Sequence, residues 1–376
     1  MRQRVAHLIA RLDALHSRAL RGWYQRTPLR RRWRIAPYRG FGTFEELAVS
    51  GRVLRSVSYR EPNETDSRWR NVGEFIKRLE SDELPGARVR VTFGDVASEV
   101  VADDEGFFSA SLALAKPLER AGWHLVRLDL VDRSGEALPG VATTAEVLVP
   151  STSARFGIIS DIDDTVVWSN VAHKLAMLAM LAQSNSRTRK PFNGVAALYR
   201  AFHDGVTGNE ANPVFYVSSS PWNLYEPLID FLDSQHLPKG PLVLTDIGEQ
   251  TWFERDRHRL HKGASINRIL RAYPTLSFVL IGDSGEQDPE IYADVVREHP
   301  GRVRGIYIRS IDRNPARVET IARLIETVHY NGVPLVLTLD SEAAAVHAAE
   351  HQLISANAVD GVRADQRLDR AAPVNS

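Results

Sequence analysis

The sequence of 376 residues contains no cysteine, which excludes disulfide frameworks, thiolate zinc sites and cysteine nucleophiles. It also lacks long hydrophobic runs. The longest, residues 175–182, is far shorter than the roughly 18 to 20 residues that a helix needs to span a bilayer. The arginine-rich start lacks the continuous apolar segment and the small-residue cleavage site of a secretory signal. These absences predict a cytoplasmic protein that does not span a membrane by itself.

Positive and negative side chains are equal in number, with 47 Lys and Arg against 47 Asp and Glu, but they are unevenly distributed. Residues 1–40 contain eleven arginines and one acidic residue, Asp13. Apolar residues recur at helical spacing over residues 5–19, which predicts a basic amphipathic helix. The aromatic residues that follow it are Trp23, Tyr24, Trp33 and Tyr38.

Cations mixed with such aromatic residues suit an anionic lipid surface. Peripheral attachment to the inner membrane surface is therefore one hypothesis for residues 1–40, and a helix docked on the next domain is the alternative. No nucleic-acid partner is expected, because nothing else in the chain resembles a nucleic-acid module.

Short β-type runs separated by turn residues occupy the chain between Gly51 and Pro150. The runs are residues 52–58, 87–93, 97–102, 107–114, 124–131 and 144–149. They predict a small antiparallel domain resembling a β-sandwich, and no catalytic constellation is recognisable in it.

After residue 155 the pattern changes to strands that alternate with helices. The predicted strands are residues 156–160, 214–218, 242–245, 277–282, 305–309 and 335–339. This alternation predicts an α/β domain with a parallel sheet covered by helices on both faces. Ligands bind at the carboxyl ends of the strands in such domains.

These patterns divide the chain into four segments. They are a basic amphipathic N-terminal segment (1–45), a β-rich accessory domain (46–152), an α/β domain (153–340), and a C-terminal helix with a flexible tail (341–376). The end is polar and rich in small residues from about residue 356. Poor order is therefore expected there.

Two of the predicted strands end in clustered carboxylates. The apolar residues 157–160 are followed by Asp161, Asp163 and Asp164, and a second apolar strand is followed by Asp283. Like charges repel at such spacing, and a bound cation or chemistry on an anion is the usual reason to retain them. An acidic turn or a helix cap is the alternative.

Residues 161–165 (Asp-Ile-Asp-Asp-Thr) resemble the first motif of the haloacid-dehalogenase (HAD) phosphatases. Three further elements follow in the order of the family's other motifs. They are Ser218 at a predicted strand end, Lys262 ahead of a helical pattern, with His261 as a weaker rival, and residues 282–288 (Gly-Asp-Ser-Gly-Glu-Gln-Asp). The resemblance implies a Rossmann-like HAD domain.

This resemblance implies a phosphomonoester hydrolase that depends on Mg²⁺. Asp161, Asp283 and the backbone carbonyl of Asp163 are implied as metal ligands, in line with the oxygen preference of Mg²⁺. Asp161 is implied as the nucleophile that takes up the phosphoryl group. Asp163 is implied as the acid that protonates the leaving oxygen and later deprotonates the hydrolytic water.

The same resemblance implies phosphate binding by Ser218, Ser219 and Lys262. The register of the serine is open by one residue, because three serines follow one another in the chain. Thr165 and Asp288 are implied in supporting roles, Asp288 by orienting Lys262 or a water molecule.

A closer resemblance is to the App1 family of phosphatidate phosphatases. It rests on residues 216–225 (Tyr-Val-Ser-Ser-Ser-Pro-Trp-Asn-Leu-Tyr), on residues 282–292, and on residues 69–71 (Trp-Arg-Asn) and 80–86 in the β-rich domain. The App1 family implies magnesium-dependent dephosphorylation of phosphatidate to diacylglycerol, with the phospholipid substrate met at a membrane surface. The N-terminal helix and the tail lie outside this resemblance.

The segments between the motifs are short, so no large cap domain is inserted and an open site is expected. An open site suits a lipid headgroup, and it also suits a phosphoprotein or a phosphoinositide, which are the alternative substrates for an enzyme. The alternative from another class is a phosphatidate-sensing module that binds through Lys262 and the basic helix without turnover.

Overall fold

The computed structural model describes residues 33–56, 83–162, 194–245, 255–311 and 315–371. These residues divide into two compact units. The first unit contains residues 33–56, 83–118 and 123–147, and the second contains residues 119–122 and 148 onward. The basic helix predicted for the start of the chain and residues 69–71 lie outside the described residues.

The first unit is built on an antiparallel sheet of seven strands. The strands are β1 (Trp33–Gly42), β2 (Glu46–Arg55), β3 (Arg88–Phe93), β4 (Val96–Val101), β5 (Phe107–Ala113), β6 (Gly122–Val131) and β7 (Ala137–Val149). Their spatial order is β4-β3-β6-β7-β1-β2-β5. The edge strands β4 and β5 contact each other, so the sheet curls back on itself. The core of the first unit is therefore enclosed by one continuous sheet, whereas the two packed sheets of a β-sandwich were predicted.

Strand β1 corrects the domain boundary predicted at residue 45. It pairs antiparallel with β2 and belongs to the sheet of the first unit. Trp33 and Tyr38 are buried there, so they do not contribute to a lipid-binding surface. Arg34 and Arg39 alternate with apolar residues, a pattern typical of a strand. The boundary was wrong because a run of arginines directly precedes this strand and hid the pattern.

The second unit contains a parallel sheet, and all six of its predicted strands are confirmed. The strands are β8 (Gly157–Asp161), β9 (Val214–Pro221), β10 (Leu242–Thr245), β11 (Phe278–Asp283), β12 (Val303–Arg309) and β13 (Leu335–Thr338). Their spatial order is β10-β9-β8-β11-β12-β13. The order changes direction at β8, which lies between β9 and β11.

Helices connect these strands and cover the sheet. The described helices are α1 (Val195–Asp204), α2 (Tyr225–Ser234), α3 (Arg255–Ala272), α4 (Asp288–Glu298), α5 (Pro315–Tyr330), α6 (Ser341–Glu350) and α7 (Ala358–Ala371). Helix α4 contacts both α3 and α5, whereas α1, α6 and α7 contact one another. Because crossovers between parallel strands are right-handed, the two directions of strand order put their helices on opposite faces. None of the described helices is long and apolar enough to cross a bilayer.

Helix α7 corrects the expectation of poor order from residue 356. Its residues Val362 and Gln366 are buried, and the helix packs against α1 and α6. Two of its carboxylates cap the start of α1: Asp369 Oδ2 accepts a hydrogen bond from Gly194 N at 3.0 Å, and Asp365 Oδ2 accepts one from Ala197 N at 3.3 Å. Helix α1 has no capping side chain of its own, so α7 satisfies amide groups that a helix start leaves without partners.

Removing either capping carboxylate is expected to weaken the second unit. We expect Asp365→Ala and Asp369→Ala each to lower the free energy of unfolding by about 1 kcal/mol, the usual cost of losing a helix N-cap. Arg367→Ala is the matched control, because Arg367 is an exposed residue of the same helix. Urea unfolding of the full chain measures all three variants. An equal effect of Arg367→Ala would contradict the capping role.

Candidate functional site

The ends of two neighbouring strands bring the predicted carboxylates together. Asp161 is the last residue of β8 and Asp283 is the last residue of β11. The two strands pair in parallel, with Ser160 opposite Ile281. Both aspartates are fully buried. They therefore lie at the carboxyl edge of the sheet, where the strand order changes direction and where ligands bind in parallel sheets.

Lys262 of helix α3 lies among these carboxylates and is itself buried. Its Nζ is 2.7 Å from Asp161 Oδ1, donates a hydrogen bond to Asp288 Oδ1, and is 3.6 Å from Glu286 Oε2. Burial acts to lower the pKa of Lys262, but Asp161, Asp288 and Glu286 outweigh it and hold the pKa well above its usual value. The ammonium group is therefore charged at neutral pH.

Asp161, Asp283 and Asp288 form a candidate metal centre. One carboxylate oxygen from each lies within 4.8 Å of those of the other two. Burial foremost, with Asp288 and Glu286 next, raises the pKa of Asp283 to about 8. Burial raises the pKa of Asp288 to about 6, although Lys262 acts in the opposite direction. Nearby positive charge stabilises the ionised form of buried carboxylates, and an all-oxygen set of this kind fits Mg²⁺.

Both carboxylate oxygens of Asp288 accept hydrogen bonds from other residues of the site. Its Oδ1 accepts a hydrogen bond from Lys262 Nζ, and its Oδ2 accepts one from Asp283 N at 3.1 Å. Both oxygens are thus engaged in holding other site residues. Gly282 permits this approach, because a Cβ atom there would lie 2.3 Å from Asp288 Oδ2.

The serines at the end of β9 lie beside Asp161. Strand β9 runs past the predicted end at Ser218 as far as Pro221. Val217 pairs with Asp161, so Ser218 is the next residue beyond that level. Ser218 is buried and its Oγ accepts a hydrogen bond from Ser220 N at 3.0 Å, whereas Ser219 is half-buried.

The structure distinguishes Lys262 from its neighbour. His261 is exposed and Lys262 is buried, so the lysine alone of the two reaches the carboxylates. Asp163 and Thr165 lie outside the described residues, and their predicted roles stay predictions.

Sequence reasoning missed three residues that surround the site. Glu286 was read only as part of a motif, although its carboxylate lies near Lys262. Ser160 Oγ donates to the backbone oxygen of Asp161 at 2.8 Å and shares a hydrogen bond with the buried Tyr199 hydroxyl of helix α1. Only Glu286 had a usable signal, namely its spacing of three residues from Asp283. Ser160 and Tyr199 meet only in the folded chain.

Part of the chain that contains this site matches a known protein family. Residues 156–310 match the family model described as the catalytic domain of phosphatidate phosphatase APP1. The match contains Asp161, Ser218, Lys262, Asp283 and Asp288. The resemblance to the App1 family is thus confirmed for residues 156–310, which form an App1-like domain. Residues 69–71 and 80–86 lie outside the match, so that part of the resemblance stays a prediction.

Two curated relatives match the same part of the chain. Phosphatidate phosphatase APP1 of Saccharomyces cerevisiae is 30% identical over 156 residues, and an uncharacterised protein of Schizosaccharomyces pombe is 33% identical over 158 residues. Each match spans 41% of this chain and only 25% of the relative. Among solved structures, a carbohydrate acetylesterase from Xanthomonas citri is 12% identical and covers 88% of this chain and 72% of its own, but the TM-score of 0.27 is too low to bear on the fold.

Proposed function

We propose that this protein is a magnesium-dependent phosphatase of the HAD type that hydrolyses phosphatidate to diacylglycerol. One observation carries the proposal. The buried Asp161 is hydrogen-bonded to the buried Lys262 and lies within 4.8 Å, oxygen to oxygen, of Asp283. This cluster lies inside the segment that matches the APP1 catalytic domain.

The topology of the second unit supports a Rossmann-like assignment. Numbered from β8, its strands have the spatial order 3-2-1-4-5-6. This is the order of doubly wound nucleotide-binding sheets, in which ligands bind where the order changes direction. The cluster around Asp161 occupies that position, which is where a HAD phosphatase needs its nucleophile.

The first chemical step transfers the phosphoryl group to Asp161. The ionised carboxylate attacks phosphorus in line, and the P–O bond to the alcohol breaks as the bond to Asp161 forms. Asp163 donates a proton to the departing alkoxide. Lys262 offsets the charge of the phosphate as it approaches the carboxylate. Asp161, Asp283 and the backbone carbonyl of Asp163 would hold Mg²⁺, which would supply further positive charge to offset that of the phosphate.

The second step releases inorganic phosphate. Asp163, now ionised, accepts a proton from the water that attacks the phosphorus of the aspartyl phosphate. The P–O bond to Asp161 breaks and the carboxylate is regenerated. The hydroxyl groups of Ser218 and Ser219 donate hydrogen bonds to the phosphate oxygens in both steps. Asp288 takes no part in bond making and keeps Lys262 oriented through Oδ1.

Phosphate release from phosphatidate in detergent micelles tests the proposal. We expect the purified protein to release phosphate with Mg²⁺ and to stop when EDTA is added. Release from a soluble aryl phosphate, a phosphoprotein or a phosphoinositide, but not from phosphatidate, would keep the hydrolase and overturn the lipid substrate. Binding to phosphatidate vesicles without release from any substrate would instead identify a sensing module.

We also propose that residues 1–32 attach the protein to the cytoplasmic face of a membrane. They contain nine of the eleven arginines near the start, and basic residues close to an anionic surface contribute about 1 kcal/mol each. The deletion should stop at residue 32, because β1 begins at Trp33. We expect the shortened chain to lose flotation with phosphatidylserine liposomes, and the full chain to lose it as salt rises.

A full-length chain with the nine arginines changed to glutamine is the matched control for that deletion, because it keeps the length and removes the charge. Unchanged flotation of both variants would show that residues 1–32 do not bind the membrane. Loss in the deletion but not in the glutamine variant would contradict the electrostatic basis.

A further inference from the structure

The loop of residues 284–287 joins Asp283 at the end of β11 to Asp288 at the start of α4. Its main chain fixes the Asp283 carboxylate. Gly285 N and Glu286 N both donate hydrogen bonds to Asp283 Oδ1, at 2.6 and 3.0 Å. The direction in which Asp283 presents its carboxylate therefore depends on where this loop is held.

One arginine from another helix holds that loop. Arg317, in the first turn of α5, donates from Nε to the backbone oxygen of Ser284 at 2.8 Å and from Nη2 to the backbone oxygen of Glu286. The same guanidinium pairs with both carboxylate oxygens of Glu290 in the first turn of α4, with Nη2 and Oε2 3.1 Å apart. Arg317 thus ties the loop to the helix that begins at Asp288.

The setting of this pair makes it stronger than an ordinary surface ion pair. The side chains of Arg317 and Glu290 are only 17% and 21% exposed, and a two-pronged arginine–carboxylate pair fixes geometry as well as charge. Elsewhere on α5, Arg323 and Glu319 form a single contact and are 71% and 70% exposed. Exposed pairs of that kind contribute little to stability, so Arg323 is a matched control on the same helix.

We propose that Arg317 is a positioning residue that sets the affinity of the site for Mg²⁺. It touches neither the phosphate nor the carboxylates of the candidate metal centre, but it fixes the backbone that orients Asp283. The inference rests on the proposed function, because that function supplies the metal. Arg317 lies beyond residues 156–310, so the match to the APP1 catalytic domain does not include it. Partners that orient metal ligands typically change metal affinity 10- to 100-fold when they are removed.

Calorimetric titration of the full chain with Mg²⁺ alone, without substrate, tests this inference. We expect Arg317→Met to raise the dissociation constant roughly 10- to 100-fold. Glu290→Gln should raise it less, because the loop carbonyls keep their hydrogen bonds to Arg317. The dissociation constant of Arg317→Lys should lie between those of the wild type and Arg317→Met, because lysine keeps the positive charge but cannot form the two parallel hydrogen bonds of the guanidinium. Arg323→Met should leave the constant unchanged.

A kinetic measurement separates positioning from general loss of structure. We expect Arg317→Met to raise the Mg²⁺ concentration for half-maximal phosphate release, while kcat at saturating Mg²⁺ stays within a few-fold of the wild type. Thermal unfolding in EDTA identifies variants that fail to fold, and Glu290→Gln with Arg317→Lys decides the question if Arg317→Met does fail.

Equal Mg²⁺ affinity in the wild type and in folded Arg317 variants would overturn the inference and leave the proposed function intact. A wild type that releases phosphate from phosphatidate in EDTA and binds no Mg²⁺ in the calorimeter would overturn both the metal dependence and the inference.

Discussion

Asp161→Asn is expected to lower phosphate release by a factor of roughly 10⁴ or more, as the loss of a nucleophile does in other hydrolases. An asparagine amide has the shape of the aspartate but does not attack phosphorus. The fold should persist, because Lys262 keeps its hydrogen bond to Asp288 and its contact with Glu286, so no buried charge loses its last partner. Initial rates with phosphatidate and saturating Mg²⁺ measure the effect.

Two further measurements make this prediction specific to a nucleophile. Substrate labelled in its phosphate should leave acid-stable, hydroxylamine-sensitive label on the wild-type chain and none on Asp161→Asn. Asp129→Asn is the matched control, because Asp129 is a buried aspartate of the first unit that pairs with Arg127. An Asp161→Asn variant that keeps most of the wild-type rate would contradict the role of Asp161 as the nucleophile.

The carboxylates at the strand ends could be predicted because their signal is local. An apolar strand that ends in Asp161, and a second that ends in Asp283, need only chain order to be recognised. Parallel strands share one carboxyl edge, so the two side chains must meet if both strands enter the same sheet. Sequence reasoning therefore recovered the parallel strands and the positions of Asp161 and Asp283 at one edge of the sheet.

Contacts made across the fold had no comparable signal. Ile266, Ile269 and Leu270 of helix α3 recur at helical spacing and are buried, and Lys262 lies four residues before Ile266. This spacing favours Lys262 over His261 as the side chain that faces the sheet, but it does not indicate which carboxylates Lys262 contacts. Arg317 contacts the loop of residues 284–287 from α5, which follows β12. Nothing in the sequence around Arg317 distinguishes it from Arg323.

Two predictions were wrong, the domain boundary at residue 45 and the poor order from residue 356, and both errors have the same physical cause. The average composition of a segment does not show that a few of its side chains form one buried face. Arginines masked the alternation of β1, and small polar residues masked the single face of α7 that buries Val362 and Gln366. A helix needs only a few buried positions when its carboxylates also cap another helix, as Asp365 and Asp369 do for α1.

Lys262→Met is expected to abolish turnover and to lower the free energy of unfolding of the second unit strongly. The substitution removes the ammonium group that contacts Asp161, Asp288 and Glu286. Breaking a buried charge pair by removing one partner costs about 3–5 kcal/mol. Urea unfolding in EDTA measures the loss, and Lys116→Met is the control, because Lys116 is exposed.

The loss should depend on pH in a definite direction. In the wild type, burial raises the pKa of Asp288 to about 6, although Lys262 acts to lower it. Removing Lys262 therefore raises the pKa of Asp288 further. The folded variant then binds protons that the unfolded chain has released, so its stability falls as pH rises. The stability difference between wild type and Lys262→Met should therefore be larger at pH 8 than at pH 5. Equal differences at both pH values, or a loss no greater than that of Lys116→Met, would show that Lys262 does not hold these carboxylates together.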